Sequence, residues 1–386
     1  MKITDDILYA GVNDTKIDLF EGQFQVPDGM SYNSYIIRDE KIAVLDSVDQ
    51  HFGDEWISTI EKLCDENAPD FLVVHHAEPD HSANILKFAE MFPNAKIVSS
   101  MTAFTMLKNY FGTDFSDRRI VVKDGDTLSL GKHTLTFISA PNVHWPEVMF
   151  SFEETEKVLF SADGFGKFGA IDEKDPLFDW ACEARRYYFG IVGKFGANVQ
   201  TALKKSSSHN IKIICPLHGP VLSKNISEHI HLYDVWSSYG VESEGVAIAY
   251  TSVYGHTEKA VKALEQKLLD SGCKKVAVSD LARCDTHEAV EDAFRYGTLV
   301  LATVTYNGDI FPTMKNFIEA LKERNYQNRK IALIENGTWA PAAAKKMKAL
   351  FEESKNISFA NTVITIKGEM TNETDAQLEA LAKELI

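Results

Sequence analysis

Residues 75–81 gather three histidines and two carboxylates directly after the apolar run 71–74. Burying so many imidazoles and carboxylates together is costly unless a cation holds them. Their spacing predicts a loop that curls around metal just past the end of a buried strand. The candidate ligands in this loop are His76, Glu78, Asp80 and His81. His75 faces away from its neighbour on an extended strand, so we leave it out.

Three further candidates, His144, Asp163 and His218, each follow an apolar strand and precede Gly or Trp-Pro. We expect their side chains to emerge at one sheet edge, beside the first group. Seven ligands of nitrogen and oxygen type are too many for one tetrahedral zinc ion. They suit two metal ions bridged by a carboxylate. Their hardness favours iron or manganese over zinc.

A second group of residues suits a phosphate. The segment 251–258 reads Thr-Ser-Val-Tyr-Gly-His-Thr-Glu and lies between a strand and a helix. Its hydroxyls, its backbone N–H groups and the helix dipole can hold a phosphate. It contains no Gly-Lys-Ser/Thr and no Gly-x-Gly-x-x-Gly, which excludes a nucleoside-triphosphatase loop and a dinucleotide fingerprint. Hydroxyls and amides without lysine suit a permanently bound phosphate monoester, as in the flavodoxins, which bind FMN.

Two later loops, 303–308 and 335–339, resemble the second and third flavodoxin loops. Tyr306 could stack on a flavin ring, with Trp339 nearby. Each aromatic by itself could equally be a packed or exposed surface residue, but three loops in the right order favour the flavin reading. The candidate cofactor-binding residues are Ser252, Val253, Tyr254, Gly255, His256, Thr257, Thr305, Tyr306, Asn307, Gly308, Asn336, Gly337, Thr338 and Trp339.

The elements that must position these residues change in character along the chain. Up to about residue 240, short strands such as 35–37, 71–74 and 134–138 alternate with helices, which predicts sheet packed on sheet with outer helices. From about 245, five strand–helix units predict a doubly wound parallel sheet of five strands. We therefore expect one domain at 1–243 and another at 244–386.

The composition, the charge and the cysteine pattern exclude several classes of function. The chain has 386 residues, is 45% hydrophobic and carries a formal net charge of −16, which argues against nucleic acid as a partner. No apolar stretch approaches the roughly 20 residues of a membrane helix, and no signal peptide is evident, so we expect a cytoplasmic protein without a membrane partner. The five cysteines form no Cys-x-x-Cys pair, which excludes a rubredoxin-type or iron–sulfur site made from such motifs.

The pattern His-x-Glu-x-Asp-His, followed by His, Asp and His, resembles the metallo-β-lactamase-like domain of flavodiiron proteins, also called A-type flavoproteins. This resemblance implies an αββα sandwich followed by a flavodoxin-like domain. Hydrolytic relatives carry His where Glu78 stands, and a carboxylate there shifts preference from zinc toward iron. By position, one iron would take His76, Glu78 and His144, the other Asp80, His81 and His218, with Asp163 bridging. Segments 32–35 and 163–166 also resemble family segments that shape the pocket.

The sequence departs from the flavodoxin pattern in its three loops. His256 stands where Asn is common, Val304 where Pro is common, and residues 340–341 where the loop is often richer in Gly. These departures concern the contacts to the flavin ring and its potential more than FMN binding itself.

The resemblance further implies an oxidoreductase that reduces dioxygen to water, nitric oxide to nitrous oxide, or both, and so protects an anaerobe. FMN would pass electrons to the two iron ions in a head-to-tail homodimer or a dimer of dimers. Since no rubredoxin-like extension is present, we expect a separate donor such as rubredoxin. Lys345, Lys346 and Lys348 could dock an acidic carrier, although an ordinary solvated helix face explains them as well.

Two other functions fit the same residues. The first is a zinc hydrolase fused to an accessory flavodoxin, which metal analysis would distinguish. The second is an electron carrier or gas-sensing module, against which catalytic turnover with dioxygen or nitric oxide would count.

Overall fold

The computed structural model describes residues 2–65, 67–172, 177 and 180–386. The chain divides into two units, Met1–Asp234 and Val235–Ile386. This division falls inside the helix Ile226–Ser237, upstream of the Gly-containing segment on which the predicted 243/244 boundary rests. That boundary stays a prediction. Among the described residues, no helix combines the length and the apolar character needed to cross a bilayer.

The first unit is built from short strands and helices. Its strands are β1 (Ile7–Tyr9), β2 (Val12–Asp14), β3 (Leu19–Phe20), β4 (Phe24–Gln25), β5 (Met30–Tyr32), β6 (Tyr35–Ile37), β7 (Ala43–Leu45), β8 (Phe71–Val73), β9 (Lys96–Ser99), β10 (Arg119–Val121), β11 (Thr127–Ser129), β12 (Thr134–Ser139), β13 (Met149–Glu153), β14 (Val158–Phe160) and β15 (Ile213–Cys215). Its helices are α1 (Gly53–Leu63), α2 (Pro79–Ser82), α3 (Ile85–Met91), α4 (Met101–Phe111), α5 (Trp180–Tyr187), α6 (Gly196–Ser206) and α7 (Ile226–Ser237).

Two sheets form the centre of this unit. One has the strand order β1-β6-β7-β8-β9-β10 and the other β11-β12-β13-β14-β15. Their facing side chains share one apolar core, in which Tyr35 and Val73 of the first sheet join Phe137 and Phe160 of the second. This is the predicted sheet-on-sheet packing. The helix α1 buries Trp56 and Ile60 along one side, as an amphipathic outer helix does.

The local sequence explains why the strands next to the site are central. The strands β7 and β8 read Ala-Val-Leu and Phe-Leu-Val, pair in parallel and are buried at every position. Continuous apolar runs of this kind are typical of parallel strands covered on both faces. The predicted strands 35–37, 71–74 and 134–138 are therefore present, within one residue at each end.

The second unit alternates strands and helices. Its strands are β16 (Ser243–Tyr250), β17 (Val276–Asp280), β18 (Tyr296–Tyr306), β19 (Asp309–Ile310), β20 (Lys330–Asn336) and β21 (Ser358–Ile366). Its helices are α8 (His256–Asp270), α9 (Thr286–Arg295), α10 (Pro312–Glu323), α11 (Ala343–Leu350) and α12 (Asn372–Leu385).

Five of these strands form the predicted parallel sheet, in the order β17-β16-β18-β20-β21, which confirms the doubly wound fold. The additional strand β19 pairs antiparallel with β18 through the turn at Asn307-Gly308, both at positive φ. Thr305 Oγ1 accepts the N–H groups of Ala342 and Ala343 and fixes where α11 begins.

Candidate functional site

The first candidate site lies where several strands of the first unit end. His76 and Glu78 follow β8, His144 lies between β12 and β13, and Asp163 and His218 follow β14 and β15. The predicted loop at 78–81 is in part a helix, since Asp80 and His81 belong to α2. Pro79 explains the difference: its fixed φ suits the first helical position.

The structure brings His76, Glu78, His144 and Asp163 into one group. We call the first three residues the first triad, and Asp163 the bridging carboxylate. His76 Nε2 lies 3.1 Å from Glu78 Oε2 and 3.3 Å from His144 Nε2. His144 Nε2 lies 3.0 Å from Glu78 Oε2 and 3.0 Å from Asp163 Oδ2. Four candidate donor atoms therefore surround one point.

Asp80, His81 and His218 form the second triad. The His81 and His218 Nε2 atoms are 3.1 Å apart, and each is 3.3 Å from Asp80 Oδ2. The other oxygen of Asp163, Oδ1, lies 3.3 Å from His81 Nε2 and 3.7 Å from His218 Nε2. Asp163 thus presents one oxygen to each triad.

These distances suit metal ions better than hydrogen bonds. Donor atoms about 2.1 Å from a metal ion lie about 3.0–3.4 Å from one another, which matches both triads. Both carboxylate oxygens of Asp80 and of Asp163 are buried, and within the described residues none is in hydrogen-bonding geometry with a partner. Buried carboxylates without hydrogen bonds are unfavourable unless a cation is bound. The residues present therefore fit a pair of metal ions.

The electrostatics agree with that conclusion. Burial alone would lower the pKa of His144, but Asp163 and Glu78 outweigh it and raise that pKa to about 9. The neighbouring carboxylates likewise raise the pKa of His76 well above its usual range, against its burial. The pKa of Asp163 is held well below its usual value, because three histidines outweigh the effect of burial. The site therefore attracts positive charge, as protons or as metal ions.

Residues that the sequence did not single out orient the histidines. His76 Nδ1 donates to Glu147 Oε1 at 2.7 Å, and the Ala77 N–H donates to the same oxygen at 2.9 Å. His218 Nδ1 donates to the Ser31 carbonyl at 2.7 Å. Each hydrogen bond leaves Nε2 without a proton in the neutral ring, facing the site. In the sequence, the role of Glu147 is indicated only by its position right after Trp-Pro, three residues past His144.

His75, the histidine set aside, supports the loop from behind. Its Nδ1 is 2.6 Å from Asp46 Oδ2, its backbone N–H donates to Asp46 Oδ1, and its Nε2 is 2.8 Å from Ser151 Oγ. Segment 32–35, which resembles a family segment, also supports the site. Asn33 Nδ2 donates to the Pro216 and Gly219 carbonyls on both sides of His218. These bonds position the strand ends that carry the two triads.

The second candidate site is a cavity of about 460 Å³ at the carboxyl edge of the parallel sheet. Of the fourteen predicted cofactor-binding residues, all but Gly255 line it. Gly255 has φ of +86° and precedes α8, so it shapes the loop instead. Three lining residues were not predicted: Val304, Ala340 and Gly368. Gly368 follows the last strand, and the rule that ligands bind at strand ends could have found it.

Aromatic side chains surround the opening of this cavity. Tyr254 is 88% exposed, Trp339 81% and Tyr306 47%. Large aromatic side chains this exposed are unusual on a protein surface and suit a planar ligand or a partner. Both the volume and the lining residues fit a flavin mononucleotide.

Comparison with known proteins agrees with both sites. Residues 30–219 match the family described as ODP family beta lactamase, and residues 247–373 match a flavodoxin domain. A protein of Moorella thermoacetica named nitric oxide reductase is 31% identical over 92% of this chain and 90% of its own length.

Two solved structures cover the whole chain, each at 26% identity. The rubredoxin oxygen:oxidoreductase of Desulfovibrio gigas gives a TM-score of 0.91 with 97% of that chain covered. The flavodiiron protein of Giardia intestinalis gives 0.92 with 96% covered. The predicted fold class is thus confirmed, and with it the FMN and the pair of iron ions that this architecture carries. The chain belongs to the flavodiiron protein family.

Proposed function

We propose that this chain reduces dioxygen to water, nitric oxide to nitrous oxide, or both, with electrons that reach the iron ions through FMN. The observation that carries the proposal is the position of Asp163, whose two oxygens each face a different triad. Asp163 would hold both ions, and a pair of ions would supply neighbouring open positions for a diatomic molecule. Relatives named for nitric oxide reduction and for rubredoxin-dependent oxygen reduction support it.

His76, Glu78 and His144 would hold one iron ion and Asp80, His81 and His218 the other, with Asp163 shared. When bound, the ions supply open coordination positions and reducing equivalents. The protein's part is to hold the ligand atoms at fixed spacing and to keep each Nε2 free of a proton. Glu147 and the Ser31 carbonyl do this for His76 and His218.

The two reactions differ in what they consume. Reduction of one dioxygen to two waters takes four electrons and four protons. Reduction of two nitric oxide molecules to one nitrous oxide and one water takes two electrons and two protons. Because FMN carries at most two electrons, oxygen reduction needs FMN to be reduced repeatedly by an external donor.

We propose a small acidic electron carrier such as rubredoxin as that donor. Lys345, Lys346 and Lys348 are exposed on α11, which begins just past the Trp339 loop. Lys346 Nζ already lies 3.5 Å from Asp309 Oδ1, so the carrier would compete with this contact. Changing the three lysines to glutamate should slow flavin reduction at low salt. An unchanged rate would leave them as an ordinary solvated face.

We also propose that the active form is a head-to-tail homodimer, in which one subunit's flavin serves its partner's iron ions. The exposed Tyr254 and Trp339 beside the flavin cavity support an interface there. Analytical ultracentrifugation checks this, and a fully active monomer would contradict it.

The deciding experiment combines metal analysis with turnover. We expect a yellow protein with about two iron ions per chain, which consumes dioxygen or nitric oxide when given reduced rubredoxin. Asp163→Asn should abolish turnover, whereas Asp117→Asn at an exposed position should not. A colourless protein carrying zinc would overturn the proposal and favour a hydrolase. Steady-state rates with each gas would identify the preferred substrate.

A further inference from the structure

A further cavity, of about 340 Å³, lies in the first unit and shares no lining residue with the two candidate sites. Its apolar wall comes from the second sheet and from two helices: Phe150 of β13, Leu159 of β14, Leu203 of α6 and Ile230 of α7. Phe165, in the loop after β14, adds a second aromatic ring. A molecule in this cavity would therefore pack against apolar side chains on several sides.

Ser206 gives this cavity a polar contact. It is the last residue of α6 and is 4% exposed. Among the described residues, its hydroxyl has no hydrogen-bond partner. The next serine, Ser207, also lines the cavity, but its hydroxyl donates to the Lys204 carbonyl at 2.7 Å. Because a buried hydroxyl without a partner is unfavourable, Ser206 is the group that a bound molecule would satisfy.

The end of α6 does not need the Ser206 hydroxyl. The Ser206 carbonyl accepts the His209 N–H at 3.0 Å, and the Ser207 N–H donates to the Leu203 carbonyl at 2.9 Å. The His209 ring, which also lines the cavity, lies against Phe152 with 4.4 Å between the ring centroids. Backbone bonds and ring packing thus fix the wall around Ser206 and leave its hydroxyl available for a ligand.

We propose that this cavity binds a small neutral molecule with an apolar body and one hydroxyl group, such as a simple phenol, and that Ser206 hydrogen bonds to that hydroxyl. Sites for small molecules are mostly apolar and contain a few polar groups that fix the orientation of the ligand. The described residues that line this cavity include no Lys, Arg, Asp or Glu, which disfavours a charged ligand. The inference does not depend on the iron ions or the flavin of the proposed function.

The test is isothermal titration calorimetry of the full chain with FMN present, so that the flavin cavity is occupied. The two probes are 4-ethylphenol and ethylbenzene, which differ only by the hydroxyl. We expect saturable binding of 4-ethylphenol by the unaltered chain. Ser206→Ala should reduce the preference for 4-ethylphenol over ethylbenzene about fivefold, because the ligand hydroxyl loses one neutral hydrogen bond.

Ser207→Ala is the matched control. It removes a hydroxyl from the same cavity, but one that is already bonded to the Lys204 carbonyl. This variant should therefore keep the preference of the unaltered chain. An equal preference in Ser206→Ala and the unaltered chain would overturn the inference, as would the absence of saturable 4-ethylphenol binding.

Leu203→Trp tests whether the two probes bind in this cavity. Leu203 is only partly buried, so a larger side chain can extend into the cavity without displacing the core of the unit. The variant should bind neither probe while its circular dichroism spectrum matches that of the unaltered chain. Undiminished binding of both probes would place them elsewhere and overturn the inference. If this variant does not fold, the comparison of Ser206→Ala with Ser207→Ala decides.

Discussion

The orientation of His76 depends on a single carboxylate. Glu147 is buried and accepts from the ring Nδ1 of His76 and from the Ala77 N–H through the same oxygen. Burial would raise the pKa of Glu147, but the bond to His76 outweighs it and lowers that pKa, so the group stays ionised. An ionised acceptor increases the basicity of Nε2, the atom that faces the first triad.

Glu147→Ala should weaken iron binding about 10- to 100-fold, because His76 loses the group that fixes its ring. Glu147→Gln should weaken it less, since an amide oxygen can still accept both bonds. Iron content under chelator competition measures the effect. Glu90→Gln, at an exposed position on α3, is the control and should keep full iron. Equal iron affinity in Glu147→Ala would show that packing alone orients His76.

Among the elements, the segment after α7 is held to the rest of the second unit partly by one buried guanidinium. Arg329, 2% exposed, donates to the Tyr239 carbonyl at 2.8 Å, to the Gly240 carbonyl at 2.7 Å and to the Phe294 carbonyl. The predicted boundary between the domains lies in residues 239–245, whose composition is typical of a linker. The Tyr239 and Gly240 carbonyl groups are nevertheless bound by the Arg329 side chain, which no local pattern reveals.

Arg329→Met should destabilise the second unit by about 3 kcal/mol, because it leaves buried carbonyl groups without donors. Urea unfolding followed by flavin fluorescence measures this. Arg283→Met, at an exposed position of the same unit, should change stability little. A small effect of Arg329→Met would mean that water replaces the guanidinium.

His133 ties the two sheets of the first unit together. Its Nδ1 is 2.9 Å from Glu153 Oε1 at the end of β13, and its Nε2 is 3.1 Å from Asp6 Oδ2 just before β1. Burial alone would lower the pKa of His133, but its hydrogen bonds to the two carboxylates outweigh it and raise that pKa. The charged form is therefore the one that stabilises the fold.

A raised folded pKa gives stabilisation that is complete below the unfolded value of about 6.5 and is lost as pH rises through the folded value. His133→Gln should therefore cost about 1 kcal/mol more at pH 6 than at pH 9. Urea unfolding midpoints at both pH values test this. His51→Gln, whose side chain is 74% exposed beside Asp49, is the control variant. A cost independent of pH would mean that His133 acts as a neutral side chain.

Over the whole molecule, the two candidate cofactor sites lie in separate units, each with its own core. The proposed iron ligands lie in Met1–Asp234, and the cavity proposed for the flavin lies in Val235–Ile386. Each unit should therefore keep its cofactor when the other loses one. Removal of iron leaves Glu78, Asp80 and Asp163 close together with only the neighbouring histidines to offset their charge, which should destabilise the first unit.

Dialysis against a strong iron chelator should lower the unfolding temperature of the first unit and leave FMN bound. Differential scanning calorimetry measures the first effect and quenched flavin fluorescence the second. Simultaneous release of iron and FMN would contradict the independence of the two sites.

Much of the fold could be predicted because the strands beside the sites are strongly apolar. The apolar runs in β8, β14 and β16 are buried, and candidate site residues such as His76, Asp163 and Ser252 follow within three residues of them. Prediction was weaker where a tertiary contact decides the local structure. The start of α11 depends on the Thr305 hydroxyl, and the short helix α2 replaces part of a predicted loop.

The sequence by itself determined which residue types are available and in what order: apolar runs that must be buried, and hard nitrogen and oxygen ligands at their ends. Only the tertiary structure decided that Asp163 turns one oxygen to each triad and that Glu147 orients His76. The physical reason is distance along the chain. Burial and strand propensity depend on neighbouring residues, whereas a hydrogen bond or a shared metal site joins residues far apart in sequence, such as Ser31 and His218, 187 positions apart.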